Sequence, residues 1–245
     1  MTSRGGIIRD SSRCGRGSLA EGVPGGRAVA ASGPGPAPDS GIVGRCGARG
    51  QCGARGQEDQ RNGGAVKAGR TRILLVSGST RGGSANTAAL RTMRAVAGRP
   101  VTAVLYEGLS TLPAFNPDDD REPLPPAPAE LRREIAAADA VVFCTPEYAG
   151  SLPGSFKNLL DWTVGGGEMY GKPTAWINVA APGRGAGAEE SLASVLGYIG
   201  AAVIEKACRR ITLSGLAVGP DGLVNDPTFR TEAVRVLDDI VSAVS

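Results

Sequence analysis

Three apolar runs, each strand-length and each followed by a helical pattern, constrain this 245-residue chain most. They are Ile73-Leu74-Leu75-Val76, Ala140-Val-Val-Phe-Cys144 and Pro173-Thr-Ala-Trp-Ile-Asn-Val-Ala180. A strand with one face in water alternates apolar and polar residues, whereas a parallel strand covered on both faces reads as a continuous run. The spacing predicts a strand over 72–77, helices over 84–97, 153–162 and 188–199, and a further strand over Val101–Leu105. A Pro/Asp-rich loop then runs from Glu107 to about Ala127, followed by a helix over 128–137. Ile204 to Leu213 contains a fifth strand, and 228–244 forms a closing helix. Strands alternating with helices through short loops imply a parallel sheet with helices on both faces.

Five strands in about 175 residues suit a flavodoxin-like doubly wound parallel sheet of order 2-1-3-4-5, in which ligands bind beyond the carboxyl ends of the strands. The loops after strands 1, 3 and 4 are therefore the expected site. The first reads Ser77-Gly-Ser-Thr-Arg-Gly-Gly-Ser-Ala-Asn86. A turn between a strand and a helix offers unpaired N–H groups and the positive end of the helix dipole to an anion. Ser79, Thr80, Ser84 and Asn86 add side-chain donors, and Arg81 adds charge. The loop has no lysine for a Walker motif, and Gly78, Gly82 and Gly83 miss the dinucleotide spacing. A terminal monophosphate suits such a loop; an ordinary helix cap at Ser84 is the plainer alternative.

The chain divides near residue 70. Residues 1–69 lack Phe, Tyr and Trp and hold 18 of the 37 glycines. Their net charge is +5, against −2 for the remainder. Such a segment cannot bury enough apolar surface to offset its ordering entropy, so 1–69 is expected to be a disordered tail and 70–245 one domain. It contains a tandem hexapeptide, Cys46-Gly-Ala-Arg-Gly-Gln51 and Cys52-Gly-Ala-Arg-Gly-Gln57, too short for a solenoid. RNA binding through arginine is one reading, weakened by the absence of aromatics. A leader peptide is another, weakened by the lack of an apolar core segment. The favoured reading is GC-rich sequence that is not naturally coding, with initiation at a later non-ATG codon such as that of Val66.

No stretch reaches transmembrane length, so the expectation is a soluble protein. The five cysteines, three of them in the tail, do not suggest a closed disulfide framework and point to a reducing cytoplasm. No metal site is expected. The chain has no histidine, which excludes Ser-His-Asp and Cys-His catalysis. A bound cofactor is the remaining carrier of chemistry.

The loop after strand 3 reads Thr145-Pro-Glu-Tyr-Ala-Gly-Ser-Leu-Pro-Gly-Ser-Phe-Lys-Asn-Leu-Leu-Asp-Trp162. A proline turn, a cap at Ser151 and an amphipathic helix account for its local structure. With the Gly-Ser-x-Arg-x-x-Ser-x-Asn loop in front, however, it resembles the NADPH-dependent FMN reductase family of flavin, quinone, chromate and azo reductases. The resemblance covers about 70–245. It implies bound FMN, with NADPH or NADH as co-substrate. Ser79, Arg81, Ser84 and Asn86, with Thr80 beside them, would hold the FMN phosphate. Pro146, Glu147, Tyr148, Ala149 and Gly150 would line the isoalloxazine ring, and Gly183, Arg184 and Gly185 the third flavin loop. Where the family usually has Asn after the tyrosine, this chain has Ala149.

The resemblance further implies a ping-pong hydride transfer through flavin N5 to a small-molecule acceptor, with no catalytic side chain named. It also implies a homodimer or dimer of dimers. The helix from Ser155 to Trp162 points the same way, since Phe156, Leu159, Leu160 and Trp162 surround more of it than one sheet covers. A flavodoxin-like electron carrier without NAD(P)H oxidation is the main alternative, although carriers of that type are usually strongly acidic. A Rossmann dehydrogenase using Glu107 and an RNA-associated protein are weaker ones. If the tail contributes no core, a chain beginning at Val66 has the melting temperature and activity of the full chain. A drop of several degrees in a thermal melt would show that the tail packs on the domain.

Overall fold

β1 (Thr71–Ser77) lies at the centre of the topology, paired in parallel with β2 (Val101–Tyr106) on one side and β3 (Ala140–Cys144) on the other. The structure is a computed structural model describing residues 69–213 and 218–245; the expectations for the N-terminal tail lie outside the described residues. β3 pairs in turn with β4 (Pro173–Asn178), and β4 with β5 (Ala202–Val203), giving the order 2-1-3-4-5. A further pair, β6 (Arg209–Arg210), also runs parallel to β4.

The fifth strand was expected within Ile204–Leu213, but β5 lies just before that range and only β6 lies inside it. Ile204 N–H donates to the Thr174 carbonyl and Ile211 N–H to that of Asn178, so an advance of seven residues on the edge matches one of four on β4. The surplus is taken up by a 3₁₀ turn, Glu205–Ala207, that buries Ala207. The edge is thus two dipeptides separated by a turn.

Alternate side chains of β1 enter opposite cores. Ile73 and Leu75 pack with α1 (Ala85–Val96) and α5 (Pro227–Val244). Leu74 and Val76 pack on the other face, with α2 (Pro126–Ala137), α3 (Gly154–Asp161) and α4 (Ala186–Tyr198). α4 brings Ala188, Leu192 and Leu196, four residues apart, onto the sheet. This two-faced burial is why β1 and β3 are apolar throughout.

α3 corrects the apolar surplus expected there. Phe156, Leu159, Leu160 and Trp162 are all fully buried within the chain. The Pro/Asp-rich loop after β2 folds over them. Trp162 meets Phe115 edge-on at 5.0 Å and donates from Nε1 to the Pro113 carbonyl. Asn158 donates to the same carbonyl and accepts from Phe115 N–H. The helix therefore gives no argument for a partner subunit. Ser151 is not its cap either: Pro153 holds that place, and Ser151 closes a turn with Tyr148. Among the described residues, no helix is long and apolar enough to cross a membrane.

Tyr106 and Cys208 are among the groups that link the fold to alkaline pH. Burial, aided by the charges of Glu130 and Glu134, pushes the Tyr106 hydroxyl from 10.0 up to about 12. Burial also pushes the Cys208 thiol from 9.0 up to about 11. Both groups hold their protons more tightly folded than unfolded. Their contribution is complete below the unfolded values and is lost as pH rises through the folded ones. The melting temperature should therefore fall as pH rises from 9 toward 12. A thermal melt that is flat from pH 9 to 11.5 would contradict this assignment.

Candidate functional site

The loop after β1 spends its first hydroxyls on its own shape. Ser77 Oγ and Thr87 Oγ1 are hydrogen bonded at 2.8 Å, Ser77 Oγ accepts from Ser79 N–H, and Ser79 Oγ accepts from Arg81 N–H. These bonds curl the chain back to the start of α1, whose first helical bond runs from Ala88 N–H to the Ser84 carbonyl. The N–H groups of Ala85, Asn86 and Thr87 thus have no helical acceptor. Ser84 is the N-cap, yet its side chain makes no capping bond. An N-cap serine ordinarily satisfies one of those donors itself. Here the donors and the hydroxyl are left together, an arrangement that fits a phosphate group.

The loop after β3 is held by a tight turn and by two bonds to α4. Tyr148 and Ser151 exchange both backbone hydrogen bonds, at 3.0 and 3.1 Å. Between them Ala149 has φ 51° and Gly150 φ 73°. Two successive residues with positive φ are the geometry in which Asn and Gly are favoured. This gives a conformational reason for Asn in the family pattern, and it leaves Ala149 strained. Glu147 carboxylate accepts from Gly187 N–H at 2.9 Å, in the first turn of α4, and Ser151 Oγ meets Ser191 Oγ at 2.9 Å. The contact is close because residue 187 is glycine: a Cβ there would lie 2.2 Å from the Gly150 carbonyl oxygen.

The loop after β4 is organised by a residue that the sequence reading passed over. Asn178 is buried at the end of the strand. Its Oδ1 accepts from Ala180 N–H at 2.9 Å. Its Nδ2 donates to Glu189 at 2.5 Å and to the Gly185 carbonyl at 3.3 Å. The one signal was an amide side chain at the end of a largely apolar strand.

All three loops meet at the carboxyl end of the sheet, but the expected residues divide between two clefts. One, of about 420 Å³, is lined by Asn86, Pro146, Glu147, Ala149, Arg184 and Gly185, together with backbone from Val179 to Ala181. Its size lies within the range of small-ligand sites. The other, of about 190 Å³, is lined by Ser79, Thr80 and Arg81 with Tyr106 and Glu107 of the β2 side. Ser84 is buried at the head of α1. Tyr148 is half exposed on the turn, and Gly183 lies in the turn closed by Arg184 N–H and the Ala181 carbonyl.

Asn86 faces the larger cleft with its amide oriented from behind. Cys144 Sγ donates to Asn86 Oδ1 at 3.3 Å, and burial holds that thiol well above the ordinary range, so it remains a donor. With Oδ1 occupied, the amide can offer its N–H groups. Cys144, expected only as a small core residue, therefore also fixes a site side chain.

Residues 71–211 match the sequence model of the NADPH-dependent FMN reductase family. An NAD(P)H-dependent FMN reductase of Pseudomonas aeruginosa is 38% identical over 112 residues, 45% of this chain and 60% of that protein. This chain thus spans less than two thirds of that relative's length. A quinone reductase of Pseudomonas putida is 31% identical over 161 residues, 64% of this chain and 86% of that protein. Among solved structures, the flavoenzyme NAD(P)H:(acceptor) oxidoreductase FerB of Paracoccus denitrificans superposes with a TM-score of 0.60 at 26% identity, covering 70% of this chain and 98% of FerB.

Two substitutions at the loop contact should act in opposite directions. Gly187→Ala would normally favour a helix, but the clash with the Gly150 carbonyl should reverse the sign and destabilise the domain by about 1–3 kcal/mol. Ala149→Gly should stabilise it by up to about 1 kcal/mol by relieving the left-handed conformation. Chemical denaturation of the two variants gives both values. A stabilised Gly187→Ala would refute the close contact.

Proposed function

Because the chain belongs to the NADPH-dependent FMN reductase family, we propose that it is an enzyme that carries FMN and passes electrons from NAD(P)H through it to a small-molecule acceptor. The acceptor class comprises flavins, quinones, azo compounds and metal oxyanions. With a quinone, NAD(P)H and a proton are consumed, and quinol and NAD(P)⁺ are released. The observation that carries this reading is the convergence of the loops after β3 and β4 and the unpaired first turn of α1 on one cleft of about 420 Å³.

The FMN phosphate would lie at the head of α1, held by the N–H groups of Ala85 to Thr87, the Ser84 hydroxyl and the Asn86 amide. Arg81 and the 79–80 hydroxyls, which line the smaller cleft, would add charge and further donors. The isoalloxazine ring would lie against the backbone of Pro146 to Gly150 and of the 180–185 loop. Bound FMN supplies the hydride-accepting atom and the electron relay. The chain's own task is to hold the ring, expose one of its faces and position the nucleotide and acceptor over it. Glu147 is already engaged by Gly187 N–H and so ties the loop after β3 to the first turn of α4.

The reading includes a homo-oligomer, a dimer or dimer of dimers. What supports it is the exposed Tyr148 ring at the cleft rim, 53% accessible, rather than α3. Free thiols at Cys144 and Cys208 suit a reducing cytoplasm.

FMN should bind the purified protein stoichiometrically, and NADPH should bleach the bound flavin. Replacing Ser84 and Asn86 together by Ala should weaken FMN binding by about 1–3 kcal/mol, the range for hydrogen bonds lost to a charged group. Fluorescence titration measures this directly. An unchanged affinity would rule out the phosphate site at the head of α1.

A further inference from the structure

Arg210 lies on the exposed edge of the sheet, outside the cleft. Its guanidinium makes a fork with Glu189 Oε2, with Nε at 2.9 Å and Nη2 on the same oxygen. The other carboxylate oxygen, Glu189 Oε1, accepts from Asn178 Nδ2. Asn178 in turn grips both ends of the loop after β4: Ala180 through its N–H and Gly185 through its carbonyl. Gly185 has φ 87°, and a Cβ there would fall 2.3 Å from Asn178 Nδ2. The loop can therefore close only onto an amide-sized group facing a residue without a side chain. The chain of contacts runs from a surface arginine to the backbone that lines one wall of the larger cleft.

We infer that Arg210, Glu189 and Asn178 are a positioning relay that sets the 180–185 backbone against the flavin ring, and so controls affinity for the ring rather than for the phosphate. None of the three lines the larger cleft. Asn178 is the decisive member because it must accept at one atom and donate at the other. Glu189 fixes which atom donates, since a carboxylate can only accept. Arg210 holds Glu189 in place and adds less, being largely exposed. The inference rests on the flavin reading above.

The test uses FMN and riboflavin, which has the ring without the phosphate. Asn178→Asp keeps the shape and removes the donor, setting two carboxylates against each other. It should weaken both ligands by about tenfold or more, with their affinity ratio unchanged. The Ser84/Asn86 variant should instead lower FMN affinity alone. In Asn178→Asp with Glu189→Gln the donor between 178 and 189 sits on the other partner, but the Gly185 carbonyl still lacks its donor, so both affinities should recover only in part, by about threefold over Asn178→Asp. Arg210→Ala should cost only a few-fold and be sensitive to salt.

Amide hydrogen exchange of the ligand-free protein gives a second readout. Exchange at residues 180–185 should quicken in Asn178→Asp, stay unchanged in β1 and β3, and slow in part in the double variant. Equal affinities and equal exchange in Asn178→Asp, or a loss that Glu189→Gln does not ease at all, would overturn the relay. If the unaltered chain binds neither flavin, the functional reading falls, while the exchange measurement still decides the relay.

Discussion

Everything at the candidate site depends on β1 and β3 being buried on both faces. Leu74, Val76, Val141 and Phe143 fill one core, and Ile73, Leu75, Val142 and Cys144 the other. No polar side chain of these strands can face a core without a partner. Polar chemistry is displaced to where the strands end, and because the strands are parallel those ends coincide. The phosphate-type loop, the tyrosine turn and the Asn178 loop become neighbours for this reason, although they are far apart in sequence.

The second constraint is close backbone approach. Gly187 lets the first turn of α4 meet the Gly150 carbonyl, and Glu147 satisfies a helix N–H at the same place. One helix start is thus occupied by a carboxylate from the protein. The other, at α1, keeps its donors free. The asymmetry separates a structural cap from an anion site, and the same physical chemistry of unpaired N–H groups governs both.

Much of the fold was legible in the sequence, because a continuous apolar run and a 3.6-residue pattern are both local signals. β1, β3, β4 and the helices that follow them fall within a residue or two of the expected ranges, and the sheet order is the expected one. The edge was less legible. Whether the edge forms one strand within 204–213 or two dipeptides at 202–203 and 209–210 depends on register against β4 and on where Ala207 fits into the core, and neither is a property of the segment alone. The apolar girdle of α3 was misjudged similarly. Its cover is a proline-rich loop some forty residues earlier in sequence, brought there by Trp162, Asn158 and the Pro113 carbonyl.

By itself the sequence determined residue types and their local order: buried strands, turns at Gly and Pro, hydroxyls before a helix, and no histidine. From these follow the parallel sheet, the end of it that can bind, and the exclusion of histidine-dependent mechanisms. Tertiary structure decided which polar atoms remain free. Ser77 and Thr87 satisfy one another, Cys144 turns the amide of Asn86, Glu147 is taken by α4, and Asn178 grips the loop after β4. Hydrogen-bond partners are chosen by distance and direction across the fold. Two serines with the same local sequence signal can therefore end as a spent link in the loop and an open donor to a ligand.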